Sequence, residues 1–123
     1  MEELCNTRHN TIIHSDAGER FRKEIVDAFV ADYSNGLTPS PCCLCNTQIK
    51  WKLLCSIADE YGIENVATGH YVQIVKSGEN YYIHKGVDPN KDQSYYLWDV
   101  QQSVLKRALT PFGTRTKADI KKR

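Results

Sequence analysis

Three of the chain's five cysteines, Cys42, Cys43 and Cys45, fall within four positions, just after Pro39 and Pro41. Five cysteines so unevenly placed do not make a secreted disulfide framework, and crowding of this kind points to thiol chemistry or to metal. Cys45 is expected immediately ahead of a helix that starts near Asn46, where free N–H groups and the positive end of the helix dipole favour a thiolate. A stiff segment over residues 39–44 would then hold the sulfur at a fixed height on the rim of a site, useful where two reacting centres must meet. The plainer alternative is a small buried cysteine closing the helix end. Cys42 and Cys45 also form a C-x-x-C, the spacing of a redox pair or of half a zinc or iron–sulfur site. No second such pair exists, and His9, His14, His70 and His84 are scattered. No metal site is therefore expected.

The elements that must position these residues follow from periodicity. Phe21, Ile25, Ala28, Phe29 and Tyr33 recur at helical steps, with Asp16 as cap and Gly36 as terminator, which predicts a helix over residues 17–35. Residues 11–14 read as a short strand and residues 1–8 as the tail of an earlier helix, so the chain enters a βαβ series already under way. Two prolines predict a shaped loop, neither helix nor strand, over residues 37–44. A second helix is expected over residues 46–61, with Ile49, Leu53, Leu54, Ile57, Ala58 and Tyr61 on one face and Gly62 closing it; Cys5 and Cys55 sit in helical patterns as packing residues. A buried strand over residues 65–68 then ends at Gly69-His70.

Alternation over residues 71–75 and 81–85 around a turn-like stretch predicts a hairpin. The loop Gly86-Val87-Asp88-Pro89-Asn90-Lys91 leads to helix from about Asp92, further helix over residues 101–108, a break at Pro111 and Gly113, and a Thr116/Asp119 capping pair. Both ends look cut. The expected class is α/β, a fragment of a Rossmann-like parallel-sheet domain with a β-hairpin and a helical insertion.

At 123 residues and 41% hydrophobic content, one modest core is expected. No apolar run of about 18 residues occurs, and the opening residues lack a secretory layout, so the expected compartment is the cytoplasm, with no membrane partner. The net charge of +1 conceals an asymmetry. Residues 1–105 carry 9 Lys/Arg against 14 Asp/Glu, whereas Lys106, Arg107, Arg115, Lys117, Lys121, Lys122 and Arg123 face Asp119 alone. Such a cluster could meet a polyanion, or it could be a solvated face.

The string Gly36-Leu37-Thr38-Pro39-Ser40-Pro41-Cys42-Cys43-Leu44-Cys45-Asn46, followed by Ile49-Lys50-Trp51, resembles the catalytic cysteine loop of bacterial tRNA-specific 2-thiouridylases. Ala67-Thr68-Gly69-His70-Tyr71, the run from Gly86 through Lys91-Asp92-Gln93-Ser94-Tyr95-Tyr96-Leu97, and Pro111-Phe112-Gly113 with Thr116-Lys117 continue the likeness in order. Those enzymes belong to the PP-loop (adenine nucleotide alpha hydrolase) superfamily. The resemblance implies that Cys45 is the nucleophile, that Ser40, Pro41 and Cys42 lie against the target base, that Gly69 touches ATP, and that Lys91, Asp92 and Gln93 touch tRNA. It implies Mg-dependent ATP use, a persulfide sulfur donor on a second cysteine, and a sulfur-carrier or cysteine desulfurase system as partner beside the tRNA. It also divides the chain at residue 85, with the nucleotide-binding unit before and a tRNA-contacting segment over residues 86–123. Relatives commonly carry Asn-Pro-Asp or Asn-Pro-Cys where this chain has Ser40-Pro41-Cys42. The family's Ser-Gly-Gly-x-Asp-Ser loop is missing, since no Gly-Gly pair occurs. The chain thus reads as a central segment, inactive alone. Two other readings stand beside it: a related tRNA thiolase using clustered cysteines or an iron–sulfur cluster, and a non-catalytic tRNA-binding module. On residue chemistry alone, His70 reads as a hydrogen-bonded structural residue, and Trp51, Tyr95, Tyr96 and Trp98 as core rather than base-stacking side chains.

Overall fold

The computed structural model describes residues 10–122; the expected helix tail over residues 1–8, with Cys5 and His9, lies outside them. Helix α1 runs through Gly18–Phe21 and Asp27–Ser34 with a π-helical stretch, Arg22–Val26, between them. Asp16 Oδ1 accepts from the Gly18 N–H at 2.8 Å. Gly36, at φ +76°, closes the other end while the Leu37 N–H reaches back to the Asp32 carbonyl, a Schellman-type stop that needs a left-handed residue. Only Ile25 of the expected apolar face is buried; Phe29 and Tyr33 are exposed and stack on each other at 5.9 Å. Residues 11–14 form no strand. They lie mostly exposed and belong to neither of the two sheets, and an extended segment without a ladder is only coil.

The second helix, α2, starts earlier than expected. It runs Pro41–Leu44, then π-helical Cys45–Lys50, then Trp51–Glu60. Pro41 is the first helical residue, where its fixed φ suits a helix and its missing N–H costs nothing, so the proline expected to forbid helix starts one. The shaped loop shrinks to residues 37–40. The π-helical register shows in the Trp51 N–H, which bonds to the Asn46 carbonyl five residues back. Gly62, at φ +65°, ends α2 as Ile63 N–H bonds the Ala58 carbonyl.

Strand β1 (Val66–Ala67) pairs in parallel with β4 (Ala108–Leu109), in register Val66 to Ala108. Between them come the hairpin β2 (Val72–Ser77) and β3 (Asn80–Lys85), turned at Gly78, a 3-10 turn Ser94–Leu97, and helix α3 (Gln102–Leu105). The helix expected over residues 101–108 stops at Leu105, since Ala108 and Leu109 are taken into the parallel pair; β pairing overrides their local preference. Helix expected from Asp92 is likewise only the short 3-10 turn. The last helix, α4 (Lys117–Lys121), carries the Thr116/Asp119 capping box as read from sequence. The class is α/β, with a parallel pair and an antiparallel hairpin.

One core joins these pieces. Trp51, Ala58, Val66, Val72, Leu97, Val100, Leu105 and Ala108 form a single buried cluster, with Trp51, Val72 and Leu97 the most fully enclosed. Truncating Trp51 to Ala in such a site costs about 3–5 kcal/mol. This core puts α2, the carboxyl end of β1 and the Ser94–Leu97 turn side by side. Tyr95, Tyr96 and Trp98, expected in the core, are instead exposed at that turn, whereas Trp51 is buried as expected.

Candidate functional site

Starting α2 at Pro41 changes the electrostatic account of the cysteines. Cys42 takes the second helical position and Cys45 lies a full turn inside, its N–H already turned back toward the Pro41 and Cys42 carbonyls. A helix dipole acts within the first turn, so the positive end of the helix, expected at Cys45, falls instead at Cys42. Cys42 is exposed, Cys45 half-buried and Cys43 buried.

The three thiols therefore have distinct surroundings. Cys43 is structural: its Sγ accepts from the Ser40 hydroxyl at 3.1 Å and donates to the Tyr95 carbonyl at 3.6 Å, tying α2 to the 3-10 turn. Ser40 and Pro41 line a groove of about 300 Å³ together with Cys43, Phe29, Tyr95 and Trp98. Of the segment expected against a base, Cys42 stays outside that wall, and so does Cys45.

Asn46 and Thr47 complete the thiol-bearing turns. Thr47 Oγ1 donates to the carbonyls of Cys43 and Leu44, each at 3.2 Å, and Asn46 Nδ2 donates to the Cys42 carbonyl at 3.0 Å. With its amide nitrogen so used, Asn46 turns Oδ1 to His70 Nε2 at 3.1 Å. His70 Nε2 must then carry the proton, leaving Nδ1 to accept from the Thr68 hydroxyl at 2.8 Å. Burial, aided by the nearby Lys50 charge, holds the His70 pKa below its ordinary value of 6.5, and its ring stacks on Trp51 at 5.9 Å. A neutral imidazole thus bridges the end of β1 to the residue following Cys45. His70 is hydrogen-bonded and structural, as the sequence implies, whereas the only signal for Asn46 in the sequence is its place directly after Cys45.

Gly69, between Thr68 and His70, is exposed, and a Cβ there would stand 3.4 Å from the Phe112 ring. Of the residues expected to touch tRNA, Lys91 is exposed, but the other two spend their side chains inside the protein. Asp92 Oδ1 accepts from the Gly86 N–H at 2.9 Å and the Ser94 N–H at 3.3 Å, and Oδ2 accepts from the Ser94 hydroxyl at 2.8 Å. Burial pushes the Asp92 pKa up, yet these hydrogen bonds and Lys85 together outweigh it and hold it below the ordinary carboxylate range. Gln93 Oε1 accepts from the buried Tyr71 N–H at 3.0 Å. Arg107 also leaves the basic cluster: its guanidinium binds the Glu64 and Ile63 carbonyls and Asp59 at 2.7 Å. Lys106, Arg115, Lys117, Lys121 and Lys122 remain exposed. Among the described residues no group of three or more His, Cys, Asp or Glu side chains is placed to hold a metal ion, and no helix is long and apolar enough to cross a membrane.

Thiols on the opening turns of a helix, bridged through an imidazole to the carboxyl end of a parallel strand, define an α/β unit with a cysteine-bearing rim. The chain belongs to the family described as the tRNA methyl transferase HUP domain, whose model matches residues 2–123. It is 46% identical over 118 residues to the tRNA-specific 2-thiouridylase MnmA 2 of Phocaeicola vulgatus, an alignment covering 96% of this chain and 34% of that protein. It is 49% identical over 104 residues to MnmA 1 of Bacteroides fragilis, covering 85% and 29%, and 42% identical over 101 residues to MnmA of Leptospira interrogans, covering 82% and 27%. The chain spans about a third of the length of these curated relatives.

Proposed function

We propose that this chain contributes the nucleophile and part of the RNA-contacting surface of an enzyme that replaces the C2 oxygen of a tRNA wobble uridine by sulfur. The observation that carries this reading is the Cys45 turn, half-buried and held through Asn46 and His70 against the strand end at Gly69. The family's description names methyl transfer and the relatives' names thiolation; three thiols within one helical turn suit sulfur chemistry.

ATP would make the uridine oxygen a leaving group. The residues here fit that nucleotide only in part: Gly69 offers exposed backbone, but no glycine-rich cradle for phosphates occurs among the described residues. The steps assigned to this chain are therefore those at sulfur. The Cys45 thiolate attacks the inner sulfur of a persulfide on a second cysteine, forming a Cys45 disulfide and releasing hydrosulfide, which adds at C2 as the activated oxygen departs. A thiol reductant then resets the disulfide. Sulfur-carrier or desulfurase partners and a cytoplasmic setting follow from the same reading.

Cys45→Ser in the enzyme carrying this chain is expected to abolish thiolation of tRNA while leaving tRNA binding within about twofold, since one half-buried thiol contributes little to a salt-driven interface. The check is mass spectrometry of nucleosides from treated tRNA beside a binding titration. Thiolated uridine from the serine variant would overturn the assignment.

A further inference from the structure

Asp88 has no part in the reading above, yet it is one of few buried polar side chains, 8% exposed. A buried carboxylate is costly unless its oxygens are satisfied. Here both are, by backbone N–H groups from two different segments: Oδ1 accepts from Asn90 at 3.0 Å and Oδ2 from Lys117 at 2.9 Å. Its own carbonyl accepts from the Lys91 N–H at 3.1 Å. One residue thus holds the main chain of Lys91 and, 29 positions on, that of Lys117.

Helix α4 does not need this bond to form. Thr116 Oγ1 already accepts from the Asp119 N–H at 3.2 Å, and Asp119 Oδ2 from the Thr116 N–H at 3.3 Å, a complete local cap. What Asp88 adds is relative placement. A second tie, Val87 N–H to the Gly113 carbonyl at 2.9 Å, joins the same two segments. Lys91, Arg115 and Lys117 are exposed around this junction.

We propose that Asp88 is a positioning residue, clasping the Lys91 loop to the first turn of α4 so that Lys91 and Lys117 meet the phosphates of an RNA backbone as one preset pair. The inference rests on the tRNA reading above. Two cations on separately mobile segments would each have to be ordered on binding, whereas a preset pair avoids that cost.

The test is a tRNA-binding titration across salt concentrations with the full-length protein. Asp88→Ala is expected to weaken binding about fivefold and to flatten the slope of log affinity against log salt by about one, the contribution of one phosphate contact. A second comparison keeps the idea testable should Asp88→Ala fail to fold. Asp88→Asn keeps the shape of the side chain and both lysine charges, but its single oxygen can serve only one of the two N–H groups, of Asn90 and Lys117, that Asp88 now serves. It should bind about threefold more weakly than the unsubstituted protein because the two cations are no longer held as a pair. Equal binding by Asp88→Asn and the unsubstituted protein, or an unchanged salt slope in folded Asp88→Ala, overturns the clasp and leaves the tRNA reading standing. No tRNA binding by the unsubstituted protein overturns both.

Discussion

The opening turns of α2 and the loop between β3 and the Ser94–Leu97 turn spend their polar groups in opposite ways. In α2 the main-chain carbonyls of Cys42, Cys43 and Leu44 take hydrogen bonds from Asn46 and Thr47, and Cys42 is left exposed. In the loop, Asp88, Asp92 and Gln93 give their side chains to main-chain N–H groups, and Lys91 is left outside. The first arrangement displays a thiol on a satisfied backbone; the second uses polar side chains to shape the backbone beneath one cation. A family signature can therefore mark residues that touch the ligand or residues that hold the ones that do, and only geometry separates them.

The comparison breaks most visibly at the glycines. A Cβ on Gly113 would stand 1.8 Å from the Val72 carbonyl oxygen, and one on Gly86 2.4 Å from that of Tyr71. Neither neighbour is a movable side-chain tip. Gly113→Ala is therefore expected to cost about 3–5 kcal/mol or to prevent folding, with Gly86→Ala close behind, whereas Gly69→Ala, facing only the Phe112 ring, should cost about 0.5 kcal/mol or less. Urea unfolding of the three variants decides the matter. If Gly69→Ala is as damaging as Gly113→Ala, the loop is no more tightly clasped than the strand end.

A smaller effect separates side chains of the two regions. Gln93→Ala would leave the buried Tyr71 N–H without its acceptor, a loss of about 1–3 kcal/mol. Cys42→Ser, at an exposed position, should stay within about 0.5 kcal/mol. Equal thermal shifts in the two variants would show that Gln93 faces solvent, and a direct role toward RNA would regain ground.

Much of this was legible in the residues, and what was not has physical causes. The hairpin, the Gly36 and Gly62 helix stops and the Thr116/Asp119 cap follow from local chemistry, and the structure contains each. The start of α2 misread because proline both breaks and begins helices, and which it does at Pro41 depends on what precedes it. Ala108 reads as helix from sequence, and its strand with Leu109 is missed, because the partner lies more than forty residues away in β1. Residues 11–14 carry strand-like side chains, but pairing requires a neighbour that no local pattern supplies. At the site, the cysteines and Lys91 could be picked out by type. The internal duties of Asp92 and Gln93 could not, because a carboxylate or amide serves a base and a backbone equally well.

The smallest expected effect concerns His70, the bridge from the end of β1 to the opening turns of α2. Its folded pKa lies below 6.5, so above that pH both folded and unfolded chains hold it neutral and it adds no pH dependence. As pH falls through 6.5 the unfolded chain takes up a proton that the buried ring resists, so stability declines, and the penalty is complete only below the folded pKa. His70→Gln keeps an amide near Asn46 but cannot titrate. Melting temperatures measured from pH 7.5 to 5.5 should therefore fall less in that variant than in the unsubstituted protein, with the two curves parallel above 6.5. Curves that stay parallel throughout would mean that His70 is solvated and free to charge. The Asn46 link would then be too loose to fix the Cys45 turn against the strand end.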